Sequence, residues 1–281
     1  MKILVVGLGL VGGSVCKTLR ATTDHIVDGC DREEKVLEDA LADGAISGVG
    51  CMEDGVYDLV ITCLHQRIAI PMMERAVPYL KKGSILMDMC GLKGQMVVDM
   101  TNLCNAYGLY YIGTHPMAGR EKSGYYASLP NLFQGANFII TPTEGTNQQA
   151  ADTVIALAKA MGFGKIVSTS PYRHDTMIAY TSQLAHVVSS AYVKDDCMDD
   201  ALDFSGGSFQ DMTRVARLNE NMWTELFLDN GDNLANEIDS LIARMQAYST
   251  AIKAKDADTL RELLREGREK CIAIDEIKDF D

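Results

Sequence analysis

The sequence predicts an α/β N-terminal domain with a mostly parallel sheet, followed by an all-α C-terminal domain. The chain has 281 residues, which is longer than a single ordinary domain, and its 47% hydrophobic content is enough to bury a large core. Up to about residue 170, short apolar runs of strand character alternate with helical patterns, as is typical of a parallel sheet wrapped by helices. After Pro171 the apolar residues follow a 3.6-residue period without a convincing strand. We therefore predict two domains, residues 1–170 and 171–281.

The first strand and the turn after it indicate a dinucleotide-binding, Rossmann-type domain. Residues 2–6 are an apolar run that leads into Gly-x-Gly-x-x-Gly and then into a helical pattern, which is the context that this fingerprint requires. The first glycine permits the turn, the second admits a pyrophosphate, and the third lets helix and strand pack closely. The alternative is a glycine-rich turn that only packs a strand on a helix. The cofactor-binding residues predicted here are Gly7, Leu8, Gly9, Leu10, Val11 and Gly12.

An acidic residue follows the second predicted strand and bears on the choice of cofactor. Asp31 lies nineteen positions after Gly12, where a carboxylate binds the adenosine ribose diol and repels a 2′-phosphate. Asp31 therefore favours NAD over NADP, whereas the adjacent Arg32 is placed to bind that phosphate. We expect NAD as the cofactor and include both residues in its site.

Further apolar runs predict the other strands of this sheet, at residues 58–64, 84–88, 109–113, 137–141 and 165–168. Ligands of such sheets bind beyond the carboxyl ends of the strands. Cys63, Leu64 and His65 end one run, and His115 follows another. We therefore predict that these two strand ends share one cleft, with Cys63, Leu64 and His65 on the cofactor side.

The second half of the chain is predicted to be helical over roughly 172–195, 211–217, 221–253 and 256–275. Its apolar stripe includes Leu226, Leu234, Ile238, Leu241, Ile242 and Met245. This is more apolar surface than a small bundle needs for its own core, so we predict a homodimer through this domain. The alternative is that the stripe is buried within one chain.

Composition excludes several classes of function. The net charge of −13 disfavours nucleic acid and anionic membranes, and no apolar run approaches the roughly 20 residues of a membrane span. The eight cysteines are scattered without a Cys-x-x-Cys pair, which argues against zinc and suits thiols in a reducing cytoplasm. We expect a cytoplasmic protein without a metal site. An acidic substrate then requires local basic groups.

Four sequence blocks resemble the prephenate dehydrogenase family of tyrosine biosynthesis, which includes arogenate dehydrogenases. They are the glycine-rich turn, residues 88–94, His-Pro-Met-Ala-Gly within residues 113–124, and residues 206–216 with Trp223. The last two are specific, whereas the first two are shared with other dehydrogenases. The resemblance covers nearly the whole chain and implies a Rossmann domain with a helical dimerisation domain.

The resemblance implies an NAD-dependent oxidative decarboxylation of prephenate to 4-hydroxyphenylpyruvate, with His115 as the catalytic base. Such a base must be neutral to accept the ring-hydroxyl proton as hydride leaves, and an unperturbed imidazole titrates near pH 6.5. A histidine before proline is otherwise a turn residue whose ring bonds to the backbone.

The resemblance also implies substrate contacts. Arg214 resembles the arginine that grips a substrate carboxylate, for which a planar guanidinium is suited. Arg120 and Glu121 match positions at the mouth of the site, where the resemblance implies an ion pair of an acid with Arg214 that opens for substrate. Gln183 stands where the family carries a histidine. Gly91 replaces a serine of many members, which removes a hydroxyl donor near the base. The residues placed at the substrate are Arg214, Arg120, Glu121, Gln183, His186, Gly207 and Gly91.

Other interpretations remain open at this stage. Arogenate differs from prephenate only by an amino group in place of the keto group. A β-hydroxyacid or imine-type dehydrogenase places a catalytic acid or lysine on the first interdomain helix, where no lysine precedes Lys194. An NAD-responsive binding module would bind the cofactor without turnover. We expect Lys93 to be a solvated residue at a helix start, and His174 and Asp175 to make a helix-start interaction.

Overall fold

A computed structural model of the chain describes residues 1–120 and 122–278. These residues form two compact units, one up to Asn230 and the other from Gly231 onward. The helices that follow the sheet up to residue 230 thus belong to the same compact unit as the sheet, and the domain boundary at residue 170 stays a prediction. No helix among the described residues has the length and apolar character needed to cross a membrane.

The first unit is built on one sheet, which has eight strands in the described part of the chain. The strands are β1 (Lys2–Val6), β2 (Ile26–Cys30), β3 (Gly48–Val49), β4 (Leu59–Thr62), β5 (Ile85–Asp88), β6 (Tyr110–Pro116), β7 (Asn137–Ile140) and β8 (Lys165–Ser168). Their order is β3-β2-β1-β4-β5-β6-β7-β8. Neighbours are parallel except β6 and β7, which are antiparallel. The predicted mostly parallel sheet is confirmed.

Helices cover both faces of this sheet and continue after it. Those of the first unit are α1 (Leu10–Thr22), α2 (Glu34–Ala42), α3 (Gln66–Ala76), α4 (Gly94–Ala106), α5 (Gln148–Ala160), α6 (Pro171–Ile178), α7 (Leu184–Tyr192), α8 (Gly207–Thr213) and α9 (Glu220–Asp229). A π-helical turn, Ala179–Gln183, joins α6 to α7. The second unit consists of α10 (Gly231–Ala254) and α11 (Ala257–Lys278).

The core lies on both faces of the sheet, as the alternation along β1 demonstrates. Ile3 and Val5 belong to one buried apolar cluster and Leu4 and Val6 to the other. Parallel strands are continuously apolar because both of their faces are covered. This explains why the sequence shows unbroken apolar runs rather than alternation.

Helix boundaries in the second half follow local chemistry. Ser170 caps α6 by accepting a hydrogen bond from the backbone N–H of Arg173, with Pro171 at the first helical position. The single apolar segment predicted over 221–253 is divided in the structure, where α9 ends at Asp229 and α10 begins at Gly231. Asn230 interrupts the helix, with φ −120° and ψ 27°. Its side-chain amide donates a hydrogen bond to the backbone carbonyl of Asp175.

The strand that carries His115 is longer than predicted. The apolar run ends at Gly113, but β6 continues to Pro116 because β7 pairs with it from the other side. His115 stands opposite Ile139 in this antiparallel ladder. Its backbone is therefore part of the sheet rather than of the loop that follows.

Candidate active site

The glycine-rich turn has the geometry that a dinucleotide fingerprint requires. Gly7 has φ +87°, and a Cβ there would lie 2.8 Å from the carbonyl oxygen of Cys63. A Cβ on Gly12 would lie 1.8 Å from the carbonyl oxygen of Gly7. No atom lies within 4 Å of a Cβ built on Gly9. The first and third glycines are thus required by packing, whereas the second leaves open space next to the backbone at the N-terminus of α1.

The carboxylate of Asp31 lies at this turn. Its Oδ2 accepts a hydrogen bond of 2.6 Å from the backbone N–H of Leu8, and its Oδ1 accepts one of 3.0 Å from Glu33. The side chain of Arg32 is 87% exposed and pairs with the carboxylate of Glu33 at 3.2 Å. The turn therefore holds the acid in place, while the guanidinium stays at the surface.

A cleft of about 940 Å³ opens beside the turn. Its wall combines the turn, the start of α3, the loop after β6 and the segment from α7 to α9. The predicted site residues that form this wall are Gly9, Leu10, Val11, Cys63, His65, Arg120 and His186. The ends of β4 and the loop after β6 thus meet at one cleft. Leu64 packs over Gly7 instead, where its Cδ2 would be 2.6 Å from an added Cβ.

The cleft is basic although the protein is acidic. Arg67, Arg120, Lys122 and Arg217 contribute cationic side chains to its wall, and Glu225 contributes an acid. Arg67 is already paired with Asp229 at 3.0 Å and lies 3.8 Å from Glu225. Sequence analysis did not identify Lys122 and Arg217 as site residues. Arg217 could have been found as an isolated basic residue close to Arg214 in the sequence.

His115 is joined to a buried histidine and a carboxylate. Its Nδ1 lies 2.9 Å from Nε2 of His174, and Nδ1 of His174 lies 2.7 Å from Oδ1 of Asp175. His174 is 1% exposed, whereas His115 is partly exposed. The His-Asp pair is thus more than a helix-start interaction, because it connects α6 to the end of β6.

Lys93 is fully buried, and the expectation that it is solvated is wrong. Its ammonium donates to Oδ2 of Asp88, itself fully buried at the end of β5. The hydroxyl of Tyr111 donates to the other oxygen of Asp88 at 2.7 Å. A buried lysine is tolerated here because its charge is paired and its partner is hydrogen-bonded.

The surroundings keep His115 uncharged. Burial of its ring, the positive charge of Lys93 and the neighbouring His174 together hold the pKa of His115 well below its ordinary value of 6.5. A neutral imidazole has one nitrogen that accepts a proton. His115 is therefore in the form that a general base needs at neutral pH.

The remaining predicted residues lie in different surroundings. His186 is on the cleft wall, where its Nδ1 lies 3.1 Å from the carbonyl oxygen of Val215 and its ring packs on Trp223 with centroids 4.0 Å apart. Gln183 is buried, and both ends of its amide are bonded within the protein, to Leu226 and Asn230 at 2.8 Å each. The structure thus does not place Gln183 in the cleft but makes it part of the scaffold.

The predicted base His115 and three predicted substrate residues, Arg214, Gly207 and Gly91, are not among the residues that line the cleft. Arg214 is exposed and begins the 3₁₀ turn Arg214–Ala216, next to the wall residue Val215. Gly207 is exposed at the start of α8. A Cβ on Gly91 would meet only Leu226, at 3.7 Å, so a serine fits there. Glu121 lies outside the described residues.

Comparison with known proteins agrees with this arrangement. The model "Prephenate dehydrogenase, nucleotide-binding domain" matches residues 15–167, and "Prephenate dehydrogenase, dimerization domain" matches residues 170–266. A cyclohexadienyl dehydrogenase of Zymomonas mobilis is 30% identical over 286 residues, covering 97% of this chain and 95% of the relative.

Solved structures give the same assignment. Prephenate dehydrogenase from Aquifex aeolicus, in complex with hydroxyphenyl propionate and NAD+, has a TM-score of 0.85 at 28% identity and covers 98% of both chains. Synechocystis arogenate dehydrogenase has a TM-score of 0.85 at 25% identity, covering 98% of this chain and 100% of the other. This chain belongs to the prephenate dehydrogenase family.

Proposed function

We propose that this protein catalyses the NAD-dependent oxidative decarboxylation of prephenate to 4-hydroxyphenylpyruvate, with His115 as the general base. The observation that carries the proposal is a histidine held neutral at a strand end whose following loop enters a basic cleft beside a dinucleotide turn. The family and its dehydrogenase activity fix the reaction class.

The described residues fit NAD, which accepts a hydride at its nicotinamide ring when it is bound. The open space beside Gly9 admits the pyrophosphate to the backbone, and the N-terminus of α1 favours its negative charge. The carboxylate of Asp31 would accept hydrogen bonds from the ribose hydroxyls and repel a 2′-phosphate. Leu8, Leu10 and Val11 frame this turn.

The proposed reaction needs one proton acceptor and cations for two carboxylates. Nε2 of His115 takes the proton of the ring hydroxyl as hydride leaves the same ring carbon and the ring carboxyl departs as carbon dioxide. Aromatisation of the ring supplies much of the driving force. Arg214, by family resemblance, and the cleft residues Arg120, Lys122 and Arg217 attract and orient the dianion.

Arogenate is the second candidate substrate. It carries an ammonium where prephenate has a keto group, and Glu225 on the cleft wall is a carboxylate able to pair with that group. Glu225 also lies 3.8 Å from Arg67, so its charge is partly offset before any substrate binds. This favours prephenate.

We further propose a homodimer formed through the helical part of the chain, with the domain boundary at residue 170. In the second unit α10 exposes Ile242, Met245 and Ile252, and α11 exposes Leu264, Ile272 and Ile274. Helix faces of this kind are buried in oligomers. The family's dimerization domain covers residues 170–266.

Free thiols at Cys51, Cys197 and Cys271 suit the reducing cytoplasm, where we place the enzyme.

The test is formation of reduced cofactor by the purified protein with prephenate or arogenate, each with NAD or NADP. We expect turnover with prephenate and NAD, reduced by roughly two to four orders of magnitude in the His115→Gln variant. The variant must bind NAD like the parent, which fluorescence titration checks. Turnover with arogenate alone would replace the substrate, and absence of turnover with both would reject the proposed reaction.

A further inference from the structure

We propose that His174 and Asp175 are positioning residues that fix the tautomer of His115, so that Nε2 of His115 is the proton acceptor. The proposal rests on His115 being the base of the proposed reaction. It concerns residues for which sequence analysis gave only a helix-start interaction.

An ionised carboxylate only accepts hydrogen bonds. Oδ1 of Asp175 lies 2.7 Å from Nδ1 of His174, so this nitrogen carries a proton. A neutral imidazole has a single N–H, which leaves Nε2 of His174 as an acceptor.

The next contact then has a defined direction. Nε2 of His174 lies 2.9 Å from Nδ1 of His115, so Nδ1 of His115 donates to it. The single proton of neutral His115 is thereby on Nδ1, and Nε2 keeps its lone pair. Nε2 of His115 makes no hydrogen bond to any residue in the described ranges. It remains available for the proton of a substrate hydroxyl, whose O–H bond breaks as the Nε2–H bond forms.

The carboxylate that begins this series is itself held from several sides. The backbone N–H of Lys93 donates to Oδ1 of Asp175 at 2.8 Å, and the side-chain amide of Asn230 donates to its backbone carbonyl at 2.9 Å. The ammonium of Lys93 is anchored on buried Asp88. The series is thus fixed to the start of α4, to α6 and to the end of α9, which holds the imidazoles in one geometry.

The expected effect is large because the wrong tautomer places a proton on the atom that must accept one. In serine hydrolases the carboxylate that orients the catalytic imidazole is worth about 10⁴ in kcat. We expect the His174→Phe variant, which removes the acceptor but keeps a ring, to lose between roughly 10² and 10⁴ in kcat. Since His174 does not touch the substrate, KM should change far less than kcat. His174→Gln keeps an acceptor oxygen and should recover part of the loss.

A spectroscopic readout separates positioning from structural damage. Long-range proton–nitrogen NMR of protein labelled with ¹⁵N-histidine distinguishes a protonated ring nitrogen from an unprotonated one. Above the ordinary imidazole pKa of about 6.5, we expect His115 to carry its proton on Nδ1 in the parent and to populate both tautomers in His174→Phe. The His115→Gln variant assigns the signals, and His25→Phe, the same change at a histidine outside the site, is the matched control.

Each outcome decides the matter. A parent in which Nε2 of His115 is protonated, or a His174→Phe variant with the parent's tautomer and kcat, would overturn the proposal. A parent without turnover but with the Nδ1–H tautomer would reject the proposed reaction and retain the positioning role. Loss of the tautomer preference together with kcat, with the His25→Phe control unchanged, supports both.

Discussion

Nδ1 of His115 lies 2.9 Å from Nε2 of His174 although 59 positions separate the two residues in the chain. The contact joins the C-terminal end of β6 to the buried face of α6, and it connects a partly exposed imidazole to a carboxylate. The environment of His115 lowers the affinity of its imidazole for a proton.

The pH dependence of activity should report the lowered pKa of His115. Burial, Lys93 and His174 depress this pKa below 6.5, so the base stays neutral as the pH falls through 6.5. We expect the acidic limb of kcat/KM to lie well below pH 6.5. An acidic limb of kcat/KM at or above pH 6.5 that persists in buffers of different ionic strength would contradict the assignment.

Stability should depend on pH through the same group. In the unfolded chain His115 takes up a proton near its ordinary pKa of 6.5, whereas in the folded chain it does so only at lower pH. Its contribution is therefore complete above pH 6.5 and is lost as the pH falls toward the folded pKa, by up to about 1.4 kcal/mol per pH unit. Urea unfolding of the parent and of His115→Gln across this range measures the difference. Identical slopes for both proteins would show that His115 does not contribute.

Two glycines of the fingerprint should fail in different ways when replaced by alanine. A Cβ on Gly12 would lie 1.8 Å from the carbonyl of Gly7, whereas one on Gly9 meets nothing. We expect Gly12→Ala to lower the Tm and Gly9→Ala to keep the Tm while weakening NAD binding by tenfold or more, about 1.4 kcal/mol. Thermal unfolding and NAD titration of both variants provide the comparison, in which each is the control for the other.

Asp31 should determine the preference between NAD and NADP. We expect Asp31→Asn to reduce NAD affinity and to raise the ratio of NADP to NAD turnover, because the variant loses the charge that repels a 2′-phosphate. Asparagine keeps an oxygen for the N–H of Leu8, so the turn stays closed. Glu33→Gln is the matched control of a neighbouring acid. An unchanged ratio would falsify the ribose assignment.

The buried pair of Lys93 and Asp88 should show strong non-additivity. Removing the ammonium in Lys93→Met leaves the carboxylate of Asp88 buried without its counter-charge, which costs roughly 3–5 kcal/mol of unfolding free energy. In the Lys93→Met, Asp88→Asn double variant no charge is left, so we expect part of that loss to return. Denaturant unfolding of the single and double variants gives the coupling. Simple addition of the two single effects would mean that the pair is not coupled.

Arg217 should contribute to the capture of the dianionic substrate. Its side chain is exposed on the cleft wall, and a hydrogen bond to a charged group is worth about 1.5–3 kcal/mol. We expect Arg217→Ala to raise KM for prephenate by roughly tenfold to a hundredfold, with a weaker effect on KM for NAD. Arg75→Ala, an exposed arginine of α3 outside the cleft, is the control. Equally small increases in KM for prephenate in both variants would mean that Arg217 contributes only to the overall surface charge and does not bind the substrate.

Local patterns predicted much of this structure. The Gly7, Gly9 and Gly12 turn and the apolar strands depend on neighbouring residues, and the structure has the turn and a strand at each predicted apolar run, with β6 extending beyond its run. The end of β4 and the loop after β6 meet at the cleft, as expected because parallel strands share an edge, which is a rule of topology rather than of spacing.

Features that depend on distant partners could not be predicted from one sequence. β6 extends past Gly113 only because β7 returns antiparallel beside it. Lysine is usually a surface residue, and Lys93 is buried only because its ammonium pairs with the buried carboxylate of Asp88. No spacing rule connects His115 to His174, so the tertiary fold alone brings them together.

The ladder around His115 separates the proposed proton acceptor from the segments proposed to contact the substrate. β6 pairs with β5 up to Gly113 and with β7 from Thr114 onward, so the backbone that carries the proposed base is held within the sheet. The cleft wall, in contrast, includes the loop after β6 and the segment before and within α9, which lie outside the sheet. Substitutions there can retune which cyclohexadienyl acid is accepted while the proton acceptor keeps its position, which makes these wall segments the natural target for changing substrate range.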